Sequence, residues 1–419
     1  MLNVPTLVID KAAAIGDNWQ QRYHQLVLHD PVWFDHLPYL PFPQPWPVFT
    51  PKDKMAGFLA AYAALLELNV WTATRLASAV WEPSSATWTV QLTRTLPSGD
   101  HEHRILRPRH LVQATGHAGE PHLPAFPGLD TFGGRHWHSS AFPGVDAAAT
   151  AVEGRPPPPP RRVVVVGACN SAHDIAHAYA EKGHAATLVQ RSTTCVVSSE
   201  AIVRLGLAPD YSEGGPAVED ADVALWGTPA EVLKAKHVQL ARAEAEHDGG
   251  VLDGLRAAGF GLDRGPDDAG LFFKYLQRGG GYYIDVGASR LVAEGRVAVR
   301  QGVGVAAVEA GGVRLGDGSV LPADDIVFAT GYANMRGQTR AVFGDKVADR
   351  VGDIWGFDDE GEMRVIWRKT GHPGFWVHGG NLAFCRYYSR LLALQIKGLE
   401  EGMVKYEDMH PASKDVQTE

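Results

Sequence analysis

Cysteine is scarce: the 419 residues hold three, Cys169, Cys195 and Cys385, far apart and without a C-x-x-C pair. That excludes a disulfide framework and a zinc site of paired thiolates, and makes a reducing compartment, the cytoplasm, the expected location. Positive charge is in deficit, with 39 Lys and Arg against 48 Asp and Glu, a net -9. Nucleic-acid and anionic-membrane binders carry a basic face, so neither partner is expected. No apolar run reaches the ~18 residues of a membrane span, so no membrane anchor is expected. The first residues have no basic leader and no small-residue cleavage site, so no signal peptide is expected in them. G-x-S-x-G and H-E-x-x-H are both missing. What the chain does have is 45% hydrophobic residues against 21% charged. It can therefore bury a large core, in two or three domains of roughly 100–200 residues each.

Residues 4–9 are apolar and β-branched and end in Asp10, a pattern that predicts a buried parallel strand. Met55, Phe58, Leu59, Tyr62, Leu65 and Leu66 recur at helical spacing, so a helix is expected over 53–67. Strand-like runs at 76–81, 87–93 and 104–107, separated by Pro- and Ser-rich turns, predict a β-meander. It leads into Leu111-Val112-Gln113-Ala114-Thr115-Gly116. Residues 145–160 end in Pro156–Pro160 and read as an extended linker. A second meander is expected from 297–300, 303–308 and 313–315, ending in Ile326-Val327-Phe328-Ala329-Thr330-Gly331. The two endings match, so one supersecondary unit is used twice. Two unrelated glycine turns are the alternative.

Between these units Arg162-Val163-Val164-Val165-Val166 runs into Gly167-Ala168-Cys169-Asn170-Ser171-Ala172 and a helix. This is the strand–turn–helix setting of a dinucleotide-binding fingerprint. Gly167 allows the tight turn, and the helix start at Asn170 and Ser171 offers N–H groups to a pyrophosphate. Cys169 stands where glycine lets the backbone approach phosphate. A plain βα turn is the competing reading. The following strand, 185–190, ends in Gln190-Arg191 rather than in an acid. A carboxylate there suits the ribose of NAD; Arg191 suits the 2′-phosphate of NADP, the alternative being an ordinary surface arginine.

Phe132-Gly133-Gly134-Arg135-His136-Trp137-His138-Ser139-Ser140-Ala141-Phe142 fits F-x-G-x-x-x-H-x-x-x-[FY]. With Gln190-Arg191-Ser192 and Ala329-Thr330-Gly331-Tyr332, it resembles the class B flavin-containing monooxygenases. Related Baeyer–Villiger enzymes usually carry Trp where Phe142 stands. Leu26-Val27-Leu28-His29 followed by Pro41-Phe42-Pro43 is similar to the plant auxin-forming (YUCCA) branch. The resemblance implies an α/β fold of two Rossmann-like domains, each with a β-meander. It divides the chain into an FAD domain (1–144 and 322–419), a linker (145–160) and an inserted NADPH domain (161–321) with an insertion at 205–270. It implies FAD and NADPH as cofactors, and O2 and a small-molecule substrate as partners: a nitrogen or sulfur nucleophile or a 2-oxo acid, oxidised through a C4a-hydroperoxyflavin.

The site residues follow from the same resemblance. Asp10, Gly16, Asn18 and Trp19 fall on FAD, the last three resembling a G-G-x-W turn. His29 aligns with an asparagine of the animal enzymes that holds the oxygenated flavin; a histidine satisfied beside the pocket is the other reading. Thr115, Gly116, Gly134, His138, Thr330 and Gly331 belong to cofactor-binding turns. His378-Gly379-Gly380-Asn381-Leu382 precedes an apolar helix, roughly 387–397, and the resemblance implies that this junction, with Asn381 and Leu382, points the helix N-terminus at the flavin. Gly167, Cys169, Asn170, Ser171 and Arg191 fall on NADPH. A dinucleotide unit places its acid about 20 residues after its glycines, and Asp10 is the tenth residue. The expectation is therefore a first half lacking its central strand and FAD glycine loop, with NADP(H) binding without turnover as the competing function. A disulfide reductase of similar architecture ranks last, since it needs a redox cysteine pair.

Overall fold

The computed structural model describes residues 2–116, 120–145 and 159–409. The expected linker lies mostly outside them.

The valine strand, Arg162–Val166, is the centre of a five-stranded parallel sheet. On one side it pairs with Ala185–Gln190, which pairs in turn with Val297–Gln301. On the other it pairs with Asp325–Phe328, and that strand with Arg135–His138. The helix Asn170–Glu181 crosses between the first two strands. Its Ala172, Ile175, Ala176 and Tyr179 recur at helical spacing and bury against Val163, Val165 and Leu188. The near-continuous apolar run of the valine strand fits a parallel strand covered on both faces.

Two expectations change here. Residues 297–301 are an outer strand of this sheet and not the first strand of a meander; the antiparallel meander is Val305–Glu309, Gly312–Leu315 and Val320–Pro322. Asp325–Phe328 and Arg135–His138 also pair into this sheet, so strand pairing does not follow the expected boundaries at 144 and 321. The polar anchor is Asp325. Its fully buried carboxylate accepts from Arg135 Nε at 2.8 Å and from Arg161 Nε at 2.8 Å, and from the Tyr179 hydroxyl at 3.2 Å. Burial alone would raise its pKa; these hydrogen bonds win and hold it below the usual carboxylate range.

The first half is built differently. Val8–Ile9 pairs with Val70–Trp71, and Leu111–Gln113 pairs with Phe375–Val377, as two separate parallel pairs. The expected buried strand at 4–9 shortens to two residues, and Val8 is 47% exposed. The first meander forms as expected, over Thr74–Glu82, Thr87–Thr95 and His101–Leu106. The helix Lys52–Leu65 packs Met55 and Phe58 with Leu28 and Phe42. The insertion is helical, with Val218–Trp226, Ala230–His247 and Gly249–Ala257. It covers a small parallel sheet of Leu262–Asp263, Thr194–Ser198 and Tyr282–Asp285. Among the described residues no helix is long and apolar enough to cross a membrane.

Candidate active site

The turn after the valine strand requires glycine. Gly167 has φ of +131°, and a Cβ there would overlap the Ala329 carbonyl oxygen. Cys169 is in extended backbone, φ -106° and ψ -167°, so its Cβ is tolerated. No side chain caps the helix Asn170–Glu181, leaving its first peptide N–H groups to an outside acceptor. The Asn170 side chain is occupied: its Oδ1 accepts from Ile284 N at 2.8 Å, tying the turn to the Tyr282–Asp285 strand. Ser171 follows it in the first turn, and Arg191 is exposed just beyond Ala185–Gln190.

One turn along this helix, His173 is fully buried and stacks on Tyr283, ring centres 3.7 Å apart at 4°. Its Nε2 has no partner. Burial lowers its pKa to about 4, against the Cys169 carbonyl contact, so the ring is neutral.

A second group gathers in the first half. Asp10 is exposed, and its Oδ1 accepts from Ala12 N at 2.8 Å. Gly16 packs on the Ala56 carbonyl, which leaves no room for a Cβ. Asn18 is exposed. Trp19 and Leu382 pack on the same cluster of Leu28, Phe42, Met55 and Phe58 although far apart in sequence. Asn381 caps the long helix Leu382–Glu400, its Oδ1 accepting from Phe384 N at 2.8 Å, while its own N–H donates to the Tyr275 hydroxyl at 2.7 Å.

A third group fastens the halves. Gly116 and Gly331 end the two repeated strands with φ of +76° and +80°, the same left-handed turn twice. The Thr115 hydroxyl donates to Gln338 at 2.6 Å, and that of Thr330 to the His122 carbonyl. Gly134 sits against the Asp324 carbonyl. Both ring nitrogens of His138 are engaged, Nε2 with the Gly331 carbonyl at 2.9 Å and Nδ1 with Ser140 Oγ at 2.8 Å. His138 thus braces one repeat turn against the motif strand.

The first two groups face each other. The Tyr23 hydroxyl donates to Asp174, on the helix Asn170–Glu181, at 2.6 Å. His29 lies within electrostatic reach of Asp174 and Asp30. Asp30 in turn reaches Tyr282, which reaches Cys169, and Tyr275, which meets Asn381. Burial pushes Asp30 up to about 6, with His29 opposing. Burial pushes Asp35 well above the carboxylate range, the neighbouring Asp30 adding to it and Arg386 opposing. Sequence reasoning named His29 as a candidate and passed over Asp30, Asp35, Tyr275 and Arg386. The acid directly after His29 was the available signal for Asp30; the others come from distant segments.

Residues 27–205 match the FMO-like family, flavin-binding monooxygenase-like. The chain is 28% identical over 332 residues to indole-3-pyruvate monooxygenase YUCCA1 of Oryza sativa subsp. japonica, covering 78% of this chain and 71% of that one. It is 27% identical to the probable indole-3-pyruvate monooxygenase YUCCA10 of Arabidopsis thaliana, covering 79% and 76%. Among solved structures it shares the fold of ε-caprolactone-bound cyclohexanone monooxygenase, with TM-score 0.62, 16% identity, and 96% and 84% of the chains covered. It also shares that of cyclohexanone monooxygenase from Rhodococcus sp. Phi1 bound to NADP+, with TM-score 0.57, 15% identity, and 94% and 79% covered. The expected use of FAD and NADPH agrees with the flavin-binding family and with this NADP+-bound neighbour. Over residues 27–205 the chain thus matches the flavin-binding monooxygenase-like family model, and over most of its length it is similar to class B flavin monooxygenases.

Proposed function

We propose that this chain is an NADPH- and FAD-dependent monooxygenase that places one oxygen atom of O2 in a small substrate, a nitrogen or sulfur nucleophile or a 2-oxo acid. Substrate, O2, NADPH and a proton give oxygenated substrate, water and NADP+. The observation that carries this is a juxtaposition: the helix Asn170–Glu181, without a side-chain cap, bears Asp174, which accepts from the Tyr23 hydroxyl at 2.6 Å and lies within electrostatic reach of His29. When bound, reduced FAD supplies the oxygen activation.

The chain's own residues bind, orient and exclude water. Gly167 and the N–H groups at Asn170 and Ser171 receive the pyrophosphate of NADPH, and Arg191 its 2′-phosphate. Asp10 accepts from ribose hydroxyls of FAD. Trp19 and Leu382, packed on one apolar cluster, would border the flavin, and the start of Leu382–Glu400 would turn the positive end of a helix dipole towards it. Desolvation keeps Tyr275, Tyr282 and Cys385 protonated, so the lining is dry and weakly ionised.

The test is the visible spectrum of the purified chain after incubation with FAD, followed by NADPH oxidation with and without a thioether. Flavin absorbance and substrate-stimulated oxidation are expected; protein that stays colourless after reconstitution contradicts the proposal. NADP(H) binding without turnover is the second reading. The division of the first-half strands into two separate pairs favours it, and titration with NADP+ in the absence of flavin absorbance identifies it.

A further inference from the structure

We propose that the insertion encloses a second small-molecule site, a cavity against the Thr194–Ser198 strand that takes a small aliphatic ammonium compound, with Glu244 receiving its ammonium group. The cavity measures about 130 Å³ and lies between the helices Ala230–His247 and Gly249–Ala257 and the small parallel sheet. An apolar cavity of about 150 Å³ holds benzene, so this one suits a ligand of about five or six non-hydrogen atoms. Val196 and Val197 of the strand, Leu262 beside them and Leu252 of the shorter helix give it an apolar wall. No lining residue belongs to the nucleotide or flavin groups described above.

Glu244 carries the inference. Positions 241, 244 and 245 share one face of Ala230–His247, and that face lines the cavity. Glu244 is only 7% exposed, and among the described residues no hydrogen bond or ion pair reaches its carboxylate. The charges around it are spent elsewhere. Asp263 is paired with Lys274, and Arg256 Nη1 with Asp253 at 2.7 Å. Asp248, one turn on, is a second acid; it accepts from Ser198 N and Oγ at 2.6 Å each and meets His247 Nδ1 at 3.0 Å. The other lining cation, Arg264, is exposed. The Cys195 thiol, pushed up to about 12 by burial, stays neutral. Burial, with Asp248 adding to it, pushes Glu244 up to about 7, and no cation opposes them. A buried carboxylate without a counter-charge is costly. A ligand ammonium supplies that charge and three N–H donors, and its alkyl body covers the valine and leucine wall. Near neutral pH the proton displaced from Glu244 goes to solvent.

Three isobutyl compounds of similar size test this by calorimetric titration of the full chain: isobutylamine, 2-methylpropan-1-ol and 2-methylpropanoate. At about pH 8 a carboxyl poised near 7 is mostly ionised and the amine is still protonated. Isobutylamine is expected to bind about tenfold or more tighter than the alcohol, with 2-methylpropanoate weakest. Glu244→Gln, close to it in shape, should bring the amine within about threefold of the alcohol. Ala245→Leu, which fills the cavity from the same helix face, should weaken amine and alcohol alike by about tenfold. The urea midpoint shows whether each variant folds and gives a second readout: isobutylamine should raise that of the parent and leave that of Glu244→Gln in place. If Glu244→Gln does not fold, Ala245→Leu decides. Amine binding no tighter than that of the alcohol overturns the proposal, and so does tightest binding by 2-methylpropanoate. Amine binding that survives both substitutions overturns it as well, since the amine would then sit elsewhere, as a substrate of the oxygenation does.

Discussion

Val165 and Val8 sit in runs of similar composition, yet one is fully buried and the other 47% exposed. The difference is the number of neighbouring strands. The valine strand has a parallel partner on each side and a helix over it; Val8–Ile9 has one partner, and so has Leu111–Gln113, where Val112 is 44% exposed. A strand's burial is therefore a property of the sheet around it, and apolar composition reports only the capacity for it. The first half compensates with polar clamps. Arg386, 1% exposed, joins the long helix to Asp222 of the insertion and to the carbonyls around Asp35.

Breaking that clamp should give the largest effect. Arg386→Ala leaves Asp222 buried without its cation and should cost about 3–5 kcal/mol, read from the urea midpoint. A small loss would mean that sheet pairing, rather than the clamp, holds the first half.

Acid sensitivity sharpens the contrast from the other side. His173 titrates near 4 when folded, against an ordinary value of 6.5. Above 6.5 neither state carries its proton. As pH falls from about 6.5 to about 4 the unfolded chain takes a proton that the folded one refuses, and stability drops. Raised carboxylates such as Asp30 change stability in the opposite sense over an overlapping window, so the histidine is isolated by difference. His173→Phe should lose about 2–3 kcal/mol less than the parent between pH 7 and pH 4.5. Parallel pH profiles would contradict the buried neutral ring.

Cavity formation tests the two sheets directly. Val165→Ala should cost about 2 kcal/mol, whereas Val8→Ala and Val112→Ala should each stay within about 0.5 kcal/mol. Equal losses at all three positions would abolish the comparison.

These contrasts also explain what the sequence made legible. The meander at 74–106, the helix Lys52–Leu65 and the strand–turn–helix at Gly167 were readable because periodicity and turn residues are local signals. The repeated Ala-Thr-Gly endings were readable because each is short and the structure builds the same turn at Gly116 and Gly331. Val297–Gln301 was misplaced because alternation does not tell a parallel outer strand from a meander strand. The stack of His173 on Tyr283, the Asp222–Arg386 pair and the union of Trp19 with Leu382 join residues more than a hundred positions apart. No local pattern encodes them.

Transfer of label from dioxygen is the most direct test of the account. With oxygen-18 gas, FAD, NADPH and methyl phenyl sulfide, the account predicts sulfoxide carrying one labelled atom for each NADPH consumed, with the label unchanged when the solvent is ordinary water. Sulfoxide without label, or NADPH oxidation that yields hydrogen peroxide and no sulfoxide, would contradict it.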